Sequence, residues 1–174
     1  MPTKSPPMAL LDRRTSTYAT EVFQHLFERE VKRATRYRDV FSFLIIAPDP
    51  VRAQRKSLRR GERARYERVM TIIAENLTKE FRETDLIGRW DANFAVILLN
   101  TGNGDHVRVG ERVLTRIAEY AFPPEISLIR RRTISIGAAS FPHHGRDISS
   151  LMENAFTAYT LAQREGGNRI SNVN

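Results

Sequence analysis

There is no cysteine in the 174 residues, so disulfides and thiolate metal sites are excluded. That absence fits a reducing cytosol, and the cytoplasm is the expected location. No apolar run approaches the roughly 20 residues that a membrane-spanning helix needs. The apolar part of the N-terminal MPTKSPPMALL is too short for a secretory signal. Acidic residues are outnumbered, 20 against 28 Lys and Arg, for a formal charge of +8. Such a balance favours anionic partners: nucleotides, nucleic acid or an acidic protein face. It carries no information about fold. Internal repeats are lacking, as is any linker long enough to divide the chain. One domain of this length buries an adequate core without staples.

What is present reads as alternating helices and strands. Residues 1–11 carry three prolines and read as a flexible lead-in, with one domain over 12–174. Tyr18, Val22, Phe23, Leu26, Phe27, Val31 and Ala34 fall at helical spacing with one buried stripe. Phe41 to Ala47, FSFLIIA, is a nearly continuous apolar run and suits a central strand covered on both faces. Pro48 and Pro50 are expected to stop it. The stretch 51–68 then holds eight Lys and Arg against two Glu. Tyr66, Val69, Met70, Ile73, Leu77 and Phe81 mark a helix emerging from it. Two strands follow at about Asp85–Trp90 and Phe94–Leu99. Val107, Val113, Leu114 and Ile117 give a third helix, and Thr133 to Phe141 a further strand. Ser150-x-x-Glu153 reads as a capping box opening a helix on Leu151, Met152, Ala155, Tyr159 and Ala162. Gly166-Gly167 ends that helix, and Arg169–Val173 reads as a last short strand. The order contains β-α-β-β-α-β, the split ferredoxin-like pattern. The expected fold is therefore α/β, a central mostly antiparallel sheet with helices on both faces.

The run Arg82 to Leu99, RETDLIGRWDANFAVILL, is the most specific segment. It reads as an Arg-x-x-Asp pair, a strand, a tight turn and a second strand. It resembles the signature hairpin of GGDEF domains, the diguanylate cyclases, in which RxxD and a short strand precede Arg-Tyr-Gly-Gly-Asp-Glu-Phe. Arg89-Trp90 stands for the Arg-Tyr and Phe94 for the closing Phe. Asp91-Ala92-Asn93 lies between them, one residue short and without the acidic pair. The resemblance covers nearly all of the chain from Asp12. Asp12 and Thr15 track the family's opening. Glu30, Arg33, Ala34, Arg36 and Tyr37 track its Glu-x-x-Arg-Ala-x-Arg-Tyr. Thr133-Ile-Ser135-Ile-Gly137 and Phe141-Pro142 resemble its Thr-Val-Ser-Ile-Gly and Tyr-Pro. Ala155, Ala158, Ala162 and Gly166-Gly167-Asn168-Arg169 track its closing helix and turn.

The resemblance also implies where chemistry is lost. Condensing two GTP molecules calls for divalent metal on carboxylate oxygens. The family's strand-end carboxylate position is Ala47 here, and its signature acids are Ala92 and Asn93. Asp49, flanked by prolines, makes a poor metal site alone. Gln163 replaces a phosphate-holding Lys, and Gly167 a nearby Arg. The guanine-reading residues would fall in the basic stretch and are not recognisable. The expectation is a silent, non-enzymatic signalling domain with no metal and no cofactor.

The implied ligand site survives this loss. Family members bind cyclic di-GMP at a surface made by RxxD, and Arg82 and Asp85 hold that register. Counting on from Phe94, Arg112 lands where the family often has a further Arg. An Arg fork donates to guanine O6 and N7, and a carboxylate accepts from its N1–H and amine. A second Arg holds phosphate. Cyclic di-GMP on Arg82, Asp85 and Arg112 is thus the first functional reading. The second is a protein-interaction module without nucleotide, using the hairpin or residues 52–68. The third is a weak diguanylate cyclase. A protein partner is expected, and a homodimer is left open. The plainer alternatives are specific too. Arg82 and Asp85 would otherwise form an exposed ion pair. Arg36-Tyr-Arg-Asp39 repeats the motif as helix-end surface charge. Residues 52–68 read as a solvated helix face or arm, and with one aromatic and no reader motif they are not expected to bind nucleic acid. His143-His144 lack a third metal ligand.

Overall fold

The computed structural model describes residues 10–49, 60–102, 104–126 and 133–173. Its elements run α1 (Thr20–Tyr37), β1 (Phe41–Pro48), α2 (Arg60–Glu80), β2 (Leu86–Trp90), β3 (Asn93–Leu99), α3 (Asp105–Glu119), β4 (Ile134–Phe141), α4 (Ile148–Arg164) and β5 (Ile170–Asn172). One five-stranded sheet has the order β2-β3-β1-β4-β5. Every pairing is antiparallel except β4 with β5. This is the expected mostly antiparallel α/β architecture.

The central strand explains the two-layer packing. Successive side chains of a strand point to opposite faces. On one face Leu44 and Ile46 of β1, Phe94 and Val96 of β3 and Ile136 of β4 meet Met70, Ile73 and Leu77 of α2 and Val113 and Ile117 of α3. On the other, Phe41, Phe43 and Ile45, with Ala95, Ile97 and Ala139, meet Phe23 and Phe27 of α1 and Leu151 and Ala155 of α4. Each such aromatic or aliphatic side chain, fully buried, contributes roughly 1.5–3 kcal/mol. The glycine at 137 is required by close approach: a Cβ there would overlap the Ala155 carbonyl and the Tyr159 backbone nitrogen of α4. Trp90 packs edge-on against Phe23, with centroids 6.2 Å apart.

Two local expectations are corrected. A third holds: β1 stops at Pro48, which is its last residue and pairs with Ile134. Proline is tolerated there because a strand end needs no further ladder donor. The capping box is not the start of α4. Asp147, with extended backbone, is the N-cap, and its Oδ1 accepts from the Ser150 N–H at 2.9 Å. Ser150 is already inside the helix. The helix expected to emerge near Tyr66 begins at Arg60, so the C-terminal part of the basic stretch is helical; residues 50–59 lie outside the described residues. Leu10 and Leu11 are tied back to the domain, since Ala19 N–H donates to the Leu10 carbonyl at 3.1 Å and Leu11 bridges Tyr18.

Candidate functional site

The hairpin turn is Asp91-Ala92, between the paired residues Trp90 and Asn93. Asp91 takes φ 52°, a left-handed conformation that Asp tolerates better than most residues. Tyr66 of α2 donates to the Ala92 carbonyl at 3.3 Å, closing helix onto turn. Arg89 is nearly buried, lies over the Phe94 ring at 5.2 Å and donates to the Asp91 carbonyl at 3.3 Å. Ala47 is buried in β1 opposite Ser135. Gln163 bonds Tyr159, whose phenol burial holds well above its ordinary ionisation range, with the Asp49 and Tyr66 charges adding to the effect.

Asp49 has a role that sequence reasoning missed. It is 3% exposed and accepts from Thr133 Oγ1 at 2.6 Å, the Asn168 backbone N–H at 2.9 Å and Ser135 Oγ. It thereby ties the end of β1 to the start of β4 and to the turn after α4. Gly167, at φ 74°, stands so close that a Cβ would come within 2.7 Å of the carboxylate. The signal available in sequence was the Thr-x-Ser spacing of 133 and 135, which puts both hydroxyls on one strand face.

The structure places Arg82 and Asp85 together in the turn that follows α2. Asp85 N–H donates to the Arg82 carbonyl at 3.0 Å. In return the Asp85 carboxylate accepts from the Arg82 N–H at 2.9 Å and, across the hairpin, from the Leu99 N–H at 3.2 Å. The turn is therefore braced on β3. The Arg82 side chain is exposed. Both residues line a cavity of about 390 Å³ whose other wall includes Ser16, Thr17 and Tyr18.

Arg112 lies on the other side of the same helix end. It sits on α3 and lines a separate groove of about 870 Å³ between α2 and α3. Its Nε donates to Glu80 Oε2 at 3.2 Å and its Nη2 to the Glu80 carbonyl at 3.1 Å. Arg116 Nε donates to Glu80 Oε1. Burial alone would raise the Glu80 carboxyl, but Arg116 and Arg112 outweigh it and hold it below its ordinary value. Arg82 and Asp85 are thus brought together, while Arg112 reaches the neighbouring residue 80 from a different groove. The sequence sign of this groove was the four-residue spacing of Arg108, Arg112 and Arg116.

The remaining candidates are accounted for locally. Asp39 of the look-alike motif is taken by Arg33 at 2.5 Å, and Arg36 lies over the Tyr37 ring. His144 Nδ1 accepts from the Ser140 N–H at 2.8 Å. His106 is fully buried, with Nδ1 at 3.3 Å from Ser42 Oγ. Burial lowers both imidazoles, and His144 and His143 charges push His106 and His144 further the same way. No cluster of three metal-ligating side chains occurs among the described residues.

A five-stranded sheet with a braced hairpin and an Arg-x-x-Asp turn defines a nucleotidyl-cyclase-like α/β domain. The family described as "Diguanylate cyclase, GGDEF domain" matches residues 9–169, and the chain belongs to it. It is 26% identical over 167 residues to diguanylate cyclase TpbB of Pseudomonas aeruginosa, covering 94% of this chain and 38% of the relative. The chain thus spans about two fifths of that relative's length. Among solved structures, the coiled coil and GGDEF domain of DgcB from Caulobacter crescentus in complex with c-di-GMP superposes with a TM-score of 0.74, at 18% identity, over 93% of this chain and 84% of that one. The active GGEEF domain of a diguanylate cyclase from Vibrio cholerae gives 0.73 at 21% identity, over 88% and 95%.

These findings correct the expectation that the chain is not an enzyme. The relatives it matches are named diguanylate cyclases, and a domain of the same fold is an active one. That expectation rested on a handful of positions, chiefly Ala47, Ala92, Asn93 and Gln163.

Proposed function

We propose that this GGDEF domain is a signalling module that binds cyclic di-GMP at the C-terminal end of α2, through Arg82, Asp85 and Arg112. The observation that carries the reading is the Arg82–Asp85 turn. Its backbone is braced by two hydrogen bonds to one carboxylate, while the Arg82 guanidinium stays exposed. A preorganised turn lowers the ordering cost of binding. The Asp85 carboxylate has about four lone-pair sites. Two are used by the backbone, which leaves acceptors for a guanine N1–H and amine. Arg82 supplies the donors for O6 and N7, and Arg112 the positive charge for a phosphodiester.

Calorimetric titration with cyclic di-GMP tests this. Arg82→Ala should lose about 1–3 kcal/mol, by analogy with bidentate guanine contacts in DNA grooves, or roughly one to two decades in Kd. Arg36→Ala, in the look-alike motif, should bind like the parent. The reading is wrong if the parent shows no binding below about 100 μM, a free energy of about 5.5 kcal/mol, or if the two variants behave alike.

A second reading, condensation of GTP to cyclic di-GMP, is favoured by the names of the relatives. Turnover with GTP and magnesium or manganese tests it, and no product above a protein-free control would remove it. In either reading we assign the domain to the cytoplasm, acting on a protein partner or a second copy of the chain. No helix of the described residues is long and apolar enough to cross a membrane.

A further inference from the structure

The last residue of α2 already performs for two arginines what an anionic ligand would perform. Glu80 offers one carboxylate oxygen to Arg112 Nε and the other to Arg116 Nε. Its side chain is 13% exposed, whereas those of Arg112 and Arg116 are 58% and 41% exposed. The carboxylate therefore lies at the bottom of the groove with the guanidiniums facing outward over it. Arg108, Arg112 and Arg116 line the groove against Glu80, Glu111 and Glu119. With all six ionised, the lining is electrically balanced, and an entering anion gains little while Glu80 keeps its two partners.

We propose that Glu80 is an internal competitor for the ligand phosphate: a cyclic dinucleotide receives the Nε–H groups of Arg112 and Arg116 only by taking them from the Glu80 carboxylate. The inference rests on the cyclic di-GMP reading above and adds to it the regulation of the site and a further phosphate-holding residue, Arg116. The exchange is physically accessible. Both guanidiniums are partly exposed, so each pair is screened on its outer side, and a phosphodiester receives short, charge-assisted bonds from guanidinium forks. Glu80 therefore raises the concentration at which ligand binds and does not close the site. An acidic side chain at a helix C-terminus also opposes the helix dipole, so Glu80 depends on the two arginines that it occupies. Lowering of its carboxyl pKa by the same arginines is consistent with that dependence.

The experiment is calorimetric titration of the whole chain with cyclic di-GMP, using the parent, Glu80→Gln and Glu119→Gln. Glu119 lines the same groove, so Glu119→Gln makes the same charge change away from the Arg112–Glu80–Arg116 pairs. Glu80→Gln should bind about tenfold tighter than the parent, the scale of two modest ion pairs released, and Glu119→Gln within about twofold of it. Binding by Glu80→Gln alone, with a silent parent, supports the competitor role in its strongest form. Equal tightening by both variants reduces the effect to net charge and overturns the proposal. So does a parent that binds while Glu80→Gln binds equally or more weakly; the cyclic di-GMP reading then stands alone. Silence from all three proteins removes that reading and this inference with it. If Glu80→Gln does not fold, the parent decides by NMR. The Arg112 and Arg116 Nε–H signals must both move on saturation with cyclic di-GMP, and unmoved signals overturn the exchange.

Discussion

Replacing Asp49 with alanine tests whether the surviving carboxylate at the end of β1 is a structural tie. Three donors converge on it: the Thr133 and Ser135 hydroxyls and the Asn168 backbone N–H. Hydrogen bonds to a charged group are worth roughly 1.5–3 kcal/mol each, and a buried donor left without an acceptor costs about 1–3. The two hydroxyls are able to rotate toward other acceptors. The Asn168 N–H is fixed by the turn after α4 and is not. Allowing for that relaxation, Asp49→Ala should lower stability by about 3–5 kcal/mol. Asp49→Asn keeps the volume and one acceptor oxygen but turns an amide toward a donor, so it should fall between the two. Urea denaturation read by circular dichroism measures the difference, with an unchanged m-value confirming that stability alone has moved. The comparison is then repeated with millimolar magnesium and with chelator. A tie made of protein donors predicts the same difference in both. A loss under about 1 kcal/mol, or a difference present only with metal, would refute the argument that these three bonds occupy the carboxylate.

Two further perturbations read other parts of the frame. Gly137→Ala should destabilise by about 3 kcal/mol or more, because the overlapping atoms are α4 backbone and cannot rotate away; a thermal midpoint within a degree or two of the parent would sink that reasoning. Acidification should weaken the fold from near-neutral pH downward. His106 and His144 are held below the ordinary imidazole value, chiefly by burial, so the unfolded chain binds protons first as pH falls. Stability is then full above about pH 6.5 and declines below it by up to about 1.4 kcal/mol per pH unit for each histidine. Glu80 and Asp12, held low in the native state, add their loss only below about pH 4.5. Denaturation curves at pH 7.5 and 5.5 that coincide would exclude the histidine effect.

The elements legible in the sequence were those whose apolar residues run continuously or at a fixed period. The apolar run of β1 announced a strand covered on both faces, and both faces are covered. The stripe at Phe23, Phe27 and Ala34 gave α1 within two residues of its start. What misled was local polar chemistry with two equivalent solutions. Asp147-x-x-Ser150 and Ser150-x-x-Glu153 have the same spacing, and either serves as a helix start. The choice falls to Asp147 because its backbone is extended, at φ −140° and ψ 167°, where the chain leaves the turn after β4. At the site, the register of Arg82 and Asp85 was readable, but their bracing was not. Asp85 is held by Leu99, fourteen residues on, and Asp49 by partners 84 to 119 residues away. Such pairs leave no trace in spacing. The reading of inactivity is overturned from outside the chain, by relatives that are named diguanylate cyclases.

The end of α2 is where packing and ligand chemistry meet. Leu77 and Phe81 are buried in the core shared with α3, which fixes the rotation of the helix about its axis. That rotation directs the residues flanking Phe81 to opposite sides. Glu80 enters the groove toward α3, and Arg82 the cavity toward Tyr18. A ligand that joins Arg82 and Asp85 to Arg112 must therefore cross the helix end at Phe81. Such a ligand would lie between the turn that follows α2 and the arginines of α3. Any shift of α2 against α3 changes the spacing of the two walls and breaks or makes the Glu80 pairs together. Tyr66 ties α2 to the Ala92 carbonyl, so the helix that carries Glu80 also touches the hairpin turn.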